Sequence, residues 1–221
     1  MTDNSWQPDG HKIRIRGTPL LWPQALRSFV LPVRHQPDWI ENSRNVTNTG
    51  LSAREWFGLI LHAIALTDAS GENFYVSTEN TGGDGAVVNY ENGEGMAVLV
   101  EQTLATHKEN GEFLEIIKRR VDSKSAKGEN YAANRHLIVF CNNNGDLIEK
   151  ELTKVVNEGR FDIVNIIGFA ENEQGRHFLS FIFDKDFSEG AIHRMAIKEP
   201  ELWQAAIDIY DDEQREKALA S

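Results

Sequence analysis

Asn92-Gly93 constrains this chain more than any other pair of its residues, because Asn and Gly both accept the positive φ that a two-residue hairpin turn demands. Ala86-Val87-Val88-Asn89-Tyr90 precedes the pair and Met96-Ala97-Val98-Leu99-Val100 follows it. Such β-prone runs fold against each other across a tight turn. Glu91 then faces Glu94, Ala86 faces Leu99 and, carried further, Asp84 faces Glu101. A longer loop through Glu91-Asn92-Gly93-Glu94-Gly95 moves the partner of Asp84 to Gln102 and leaves Glu101 on the diagonal.

Two carboxylates placed about 5 Å apart on a sheet repel each other. In a partly buried setting they need a cation or a shared proton between them. A hard divalent ion suits them: Mg²⁺ takes one or two carboxylates, keeps several waters and completes its shell from substrate phosphates. That ligand set points toward phosphodiester chemistry. Each acid also has a structural reading. Gly82-Gly83-Asp84-Gly85 fits a turn in which Asp bonds nearby amides. Glu101 enters a strand that is apolar on both faces up to that point, so it needs a partner whatever its role.

The surrounding elements extend the pattern. Phe74-Tyr75-Val76-Ser77 reads as a strand before the hairpin, a helix spans about Ala53 to Leu66, a second helix runs from about Glu112 to Ala126, and His136-Leu137-Ile138-Val139-Phe140-Cys141 is an apolar strand. The order α-β-β-β-α-β over roughly residues 52–142 resembles the core of the PD-(D/E)XK, or restriction-endonuclease-like, nuclease superfamily. Gly83-Asp84 matches its first acid and Glu101-Gln102-Thr103 its second motif. The resemblance implies an α/β fold with a central mixed sheet flanked by helices, and Mg²⁺- or Mn²⁺-dependent hydrolysis of nucleic acid, with DNA favoured over RNA. Asp84 and Glu101 would hold the metal.

Thr103 departs from the family pattern, which has Lys there; it could still help place a water. Relatives supply that Lys from the following helix, and Lys124 offers a substitute because it continues the sheet-facing stripe Leu114, Ile117, Val121. Equally, Lys124 lies near Lys127 and Gly128, where a helix end favours positive charge. Glu55 has two readings as well. The family often adds an acid from the first helix, while Ser52-Ala53-Arg54-Glu55 fits a capping box. The implied catalytic set is Asp84, Glu101, Thr103, Lys124 and Glu55. His62, inside the buried run Trp56, Phe57, Leu59, Ile60, Leu61, Ile64, reads as a packed histidine rather than a base.

With 221 residues and 40% hydrophobic composition the chain can build one generous core. Residues 1–50, punctuated by Pro19, Pro23, Pro32 and Pro37, read as an irregular arm or small subdomain packed through Trp22, Phe29 and Trp39. Residues 51–221 read as one α/β domain. Beyond Cys141 the pattern predicts a helix over 147–157, strands over 161–169 and 177–183, and a helix from Pro200 with Leu202, Trp203, Ala206, Ile207 and Tyr210 on its buried stripe. The lone Cys141 excludes an internal disulfide and a cysteine-based zinc site. The start lacks a secretory pattern and no apolar run reaches membrane-spanning length, so the expectation is a soluble, cytoplasmic protein with no membrane partner.

A net charge of −11 argues against a general nucleic-acid coat. Lys118, Arg119, Arg120, Lys124, Lys127 and Arg135 form a locally basic stretch that could track phosphates or be a solvated, ion-paired face. Two alternatives stand beside the nuclease. One is a nuclease-like fold without catalysis, serving as a nucleic-acid-binding or protein-assembly module. The other is an enzyme acting on a small phosphorylated substrate. A homodimer is left open.

Overall fold

The structure, a computed structural model, describes residues 13–33, 51–79, 83–91, 94–106, 108–142, 148–173, 175–185, 190–199 and 201–205, with positions 5–6, 146 and 208. The elements run β1 (Ser5–Trp6), β2 (Ile13–Leu21), α1 (Trp22–Val33), α2 (Ala53–Ser70), β3 (Phe74–Glu79), β4 (Ala86–Glu91), β5 (Glu94–Thr106), α3 (Phe113–Ser125), α4 (Glu129–Ala132), β6 (Arg135–Asn142), α5 (Glu149–Glu158), β7 (Ile163–Asn172), β8 (Gly175–Asp184) and β9 (His193–Lys198). A further helical turn covers 201–205. Strands β2 to β9 lie side by side in chain order, with β1 paired onto β2. The sheet is mixed: β5–β6 and β6–β7 are parallel, and the other pairs are antiparallel.

Side-chain alternation along the central strands splits the core in two. Val98, Val100, Ile138, Phe140 and Ile167 face α1 and α2, while Ala105, Leu137, Val139, Val164 and Ile166 face α3, α4 and α5. The sheet is therefore covered on both faces, as its parallel centre requires. Helix α2 starts where Ser52 accepts the Glu55 N–H and Glu55 returns to the Ser52 N–H, and it ends at Gly71, whose φ is +76°. It is buried along most of its length, as its run of large apolar residues predicts. Stacked rings of Phe29 and Phe57, centroids 4.8 Å apart, tie α1 to α2; Phe178 and Trp203 close on the same cluster.

The two-residue register of the hairpin is observed from Glu91 facing Glu94 to Ala86 facing Leu99, but it does not carry on to set Asp84 opposite Glu101, because Asp84 and Gly85 both bond Val100. Asn92 and Gly93 themselves lie outside the described residues, as do Trp39, Pro200, Ala206, Ile207 and Tyr210. Within the stretch read as an irregular arm or small subdomain, the described residues form a sheet strand, β2, and a helix, α1. Pro23 sits in that helix's first turn, where a missing N–H costs nothing. β7 and β8 extend the sheet as expected, and β9, which was not anticipated, adds an edge. No helix among the described residues is long and apolar enough to cross a membrane.

Candidate active site

Asp84 reaches its position through an irregularity at the start of β4. Its N–H donates to the Val100 carbonyl at 2.9 Å, while the Val100 N–H donates to the Gly85 carbonyl at 2.9 Å. Two residues thus share one partner, the arrangement of a β-bulge, which re-aims a side chain. Gly85 makes it feasible: its φ is +129°, and a Cβ there would overlap the Leu59 side chain. The turned carboxylate is pinned by the Gln102 N–H, which donates to Oδ2 at 2.7 Å. The Gln102 amide group, buried on the opposite sheet face, donates to the carbonyls of Glu55 at 2.7 Å and Asp84 at 3.3 Å, fastening the first turn of α2 to the same spot.

Glu101, only 2% exposed, projects from β5 toward α3 and is held by two cations. Lys124 donates to Oε2 at 3.0 Å and Arg135 to Oε1 at 2.7 Å. The same Lys124 nitrogen lies 3.6 Å from Asp84 Oδ2, so one ammonium touches both carboxylates. Arg135 lies over the ring of Tyr131, 4.8 Å from its centroid, and Lys127 approaches the same ring. Burial first, then the Glu101 carboxylate, pushes the Tyr131 phenol well above its ordinary range. Burial likewise raises the Asp84 carboxyl; the Gln102 N–H and Lys124 oppose that rise, and the charges of Glu101 and Glu55 add to it.

Four of the five residues expected at the site converge. Asp84, Glu101 and Lys124 meet directly, and Glu55 is near enough for its charge to act on Asp84. Yet Glu55 also completes the capping box, with Oε2 accepting the Ser52 N–H at 2.8 Å, so its carboxylate is already engaged. Of the two readings of Lys124, the sheet-facing one is realised although it stands in the helix's last turn. Thr103 lies two residues beyond Glu101 on the same strand face, half-buried, and makes no side-chain hydrogen bond among the described residues.

Arg135, Tyr131 and Gln102 were not anticipated as site residues. Arg135 arrives through the parallel register that sets it beside Leu99, one alternation from Glu101. A strand partner that remote leaves no local signal. The rest of the basic stretch is paired: Lys118 with Glu158 and Asp122, Arg120 with Glu109 at 2.9 Å, and Arg119 with the Asn110 carbonyl. His62 is packed as expected. It is fully buried between His136 at 2.9 Å and Asn165 at 3.0 Å, and Asn165 accepts from Ser180. Cys141 is buried in β6, and burial pushes its thiol up.

The donor set at the acids is all oxygen and already converges on one positive charge, which suits a hard ion such as Mg²⁺ or Mn²⁺. Among the described residues no group of three or more His, Cys, Asp or Glu could enclose a metal, so water and substrate phosphate would have to complete the shell. In comparisons with protein-family models, characterised proteins and solved structures, nothing matches this chain.

Proposed function

We propose that the protein hydrolyses phosphodiester bonds of nucleic acid with Mg²⁺ or Mn²⁺, in the manner of the restriction-endonuclease-like nucleases. The observation that carries this reading is the convergence of Asp84 and Glu101 on a single cation position touched by Lys124. The element order α2-β3-β4-β5-α3-β6, with only the four-residue α4 set between α3 and β6, antiparallel through β5 and then parallel, supports the same reading. Asp84 and Glu101 are the residues that would hold the ion. When bound, it would supply Lewis acidity toward a phosphate oxygen and the attacking water. Lys124, released to the phosphate side, stabilises the charge that develops there. Arg135 keeps Glu101 oriented, and Gln102 keeps Asp84 aimed. Thr103 is left as a polar neighbour on the same face.

Cleavage of labelled single- and double-stranded DNA and RNA with Mg²⁺, Mn²⁺ or EDTA tests the proposal. Metal-dependent products are expected with the wild type. Asp84→Asn and Glu101→Gln are each expected to lower the rate at least about 100-fold, a range typical of losing one electrostatic contributor. Unchanged cleavage in both variants sinks the assignment.

One observation favours a second reading, a nuclease-like fold that binds nucleic acid or assembles with protein without catalysis. Lys124 and Arg135 already neutralise the acids. Binding of a labelled oligonucleotide without cleavage under any metal condition would select it.

A further inference from the structure

We infer that Lys124 and the divalent ion are alternative occupants of one position, so that metal loading is a cation exchange and Lys124 acts as a built-in plug. This rests on the metal-dependent reading above.

The two cations at Glu101 are held differently. Arg135 has a planar head that lies over the Tyr131 ring and is 16% exposed; its Nη1 holds Oε1. Lys124 is a point charge on a flexible stem at the last turn of α3, 18% exposed, and it bridges Oε2 of Glu101 to Oδ2 of Asp84, the more open acid at 31%. Turning the Lys124 side chain outward frees Oε2 of Glu101 while Arg135 keeps Oε1, and it takes one of two partners from Oδ2 of Asp84, where the Gln102 N–H still fixes the carboxylate.

The charge count requires a replacement. Glu55 is paired with Arg54, which leaves Asp84 and Glu101 facing Lys124 and Arg135; withdrawing the ammonium alone therefore sets two carboxylates against one cation, with Glu101 buried. A divalent ion restores the balance, and a substrate phosphate gives the displaced ammonium a new partner. Ion, substrate and Lys124 are thereby coupled. The protein holds its ion weakly when free and more tightly when a phosphate is present.

Titration calorimetry with Mn²⁺ alone tests the exchange on the full chain. Lys124→Met is expected to bind Mn²⁺ at least tenfold more tightly than wild type. Lys127→Met, which removes a nearby charge without vacating the position, is expected to shift the constant less than threefold. A Lys124→Met constant equal to or weaker than wild type, or a Lys127→Met gain of the same size, overturns the exchange and leaves the metal reading standing. Binding by neither protein overturns both. Binding by Lys124→Met alone supports the plug and selects the non-catalytic module. A second measurement needs no variant at Lys124: reductive methylation of wild-type protein, read by mass spectrometry. Saturating Mn²⁺ is expected to speed modification of Lys124 several-fold and leave Lys118 unchanged, and an unaltered Lys124 rate overturns the inference.

Discussion

Glu101 survives inside an apolar strand because two cations reach it from different elements, α3 and β6. Breaking one partner of a buried ionic group costs more than the pair contributes, since the remaining charge stays desolvated. Arg135→Met is therefore expected to lower stability by about 2–3 kcal/mol, less than for a fully unpaired charge because Lys124 remains. Introduced into a Glu101→Gln background, the same change should cost less than about 1 kcal/mol, the sign of direct coupling. Urea denaturation of the four proteins measures both. Glu101 was legible in the sequence, because an acid entering a strand apolar on both faces announces a need. The identity of its partners was only half legible. Lys124 lay on a readable helical stripe, whereas Arg135 depends on how two distant strands align.

At the scale of elements, the hairpin was the most readable part of the chain. Turn chemistry and alternating faces agree on one register, and a slip of one residue would have turned the Val87, Val98, Val100 face away from α2. The bulge at Asp84-Gly85 was not readable in the same way, since the space that leaves room only for glycine at position 85 is bounded by Leu59 on α2, a residue remote in sequence. Gly85→Ala meets both a disfavoured φ and an occupied space. It is expected to destabilise the fold by roughly 1–3 kcal/mol and to weaken Mn²⁺ binding by moving Asp84. Denaturation midpoints and calorimetry check the two effects separately. A variant as stable and as metal-competent as wild type would remove the bulge from any role in aiming the carboxylate.

Across the whole molecule, a line of polar groups joins α2 to the sheet: half-buried His136 on β6, then the buried His62 on α2, Asn165 on β7 and Ser180 on β8. Burial lowers His136 to about 4. Burial and the neighbouring His136 lower His62 well below the usual histidine range. Both rings are neutral in the fold and protonated in the unfolded chain through the interval from the ordinary histidine value down to about 4. The unfolded state therefore binds more protons there. Stability from these groups is complete at neutral pH and is lost as pH falls across that interval. For His136 the loss is at most about 3 kcal/mol, since part of the residue reaches the surface. Denaturant midpoints at pH 7, 6 and 5 are expected to fall steadily, and His136→Gln is expected to flatten the decline. Asp84, raised rather than lowered, acts in the opposite sense at the acid end.

The sequence by itself determined the local matters: the hairpin register, the capping box at Ser52 and Glu55, the buried helix after it, and the stripe that turns Lys124 toward the sheet. Each is set by residues within a few positions of one another, where backbone geometry and side-chain periodicity decide. Tertiary structure alone decided that β2 pairs into the main sheet beside β3, that β9 adds an edge, and that Arg135 and Tyr131 stand beside Glu101. Those contacts depend on parallel strand alignment and on helices laid across opposite sheet faces. The free energy of such packing comes from buried area shared by remote segments, and no short stretch of the chain encodes it.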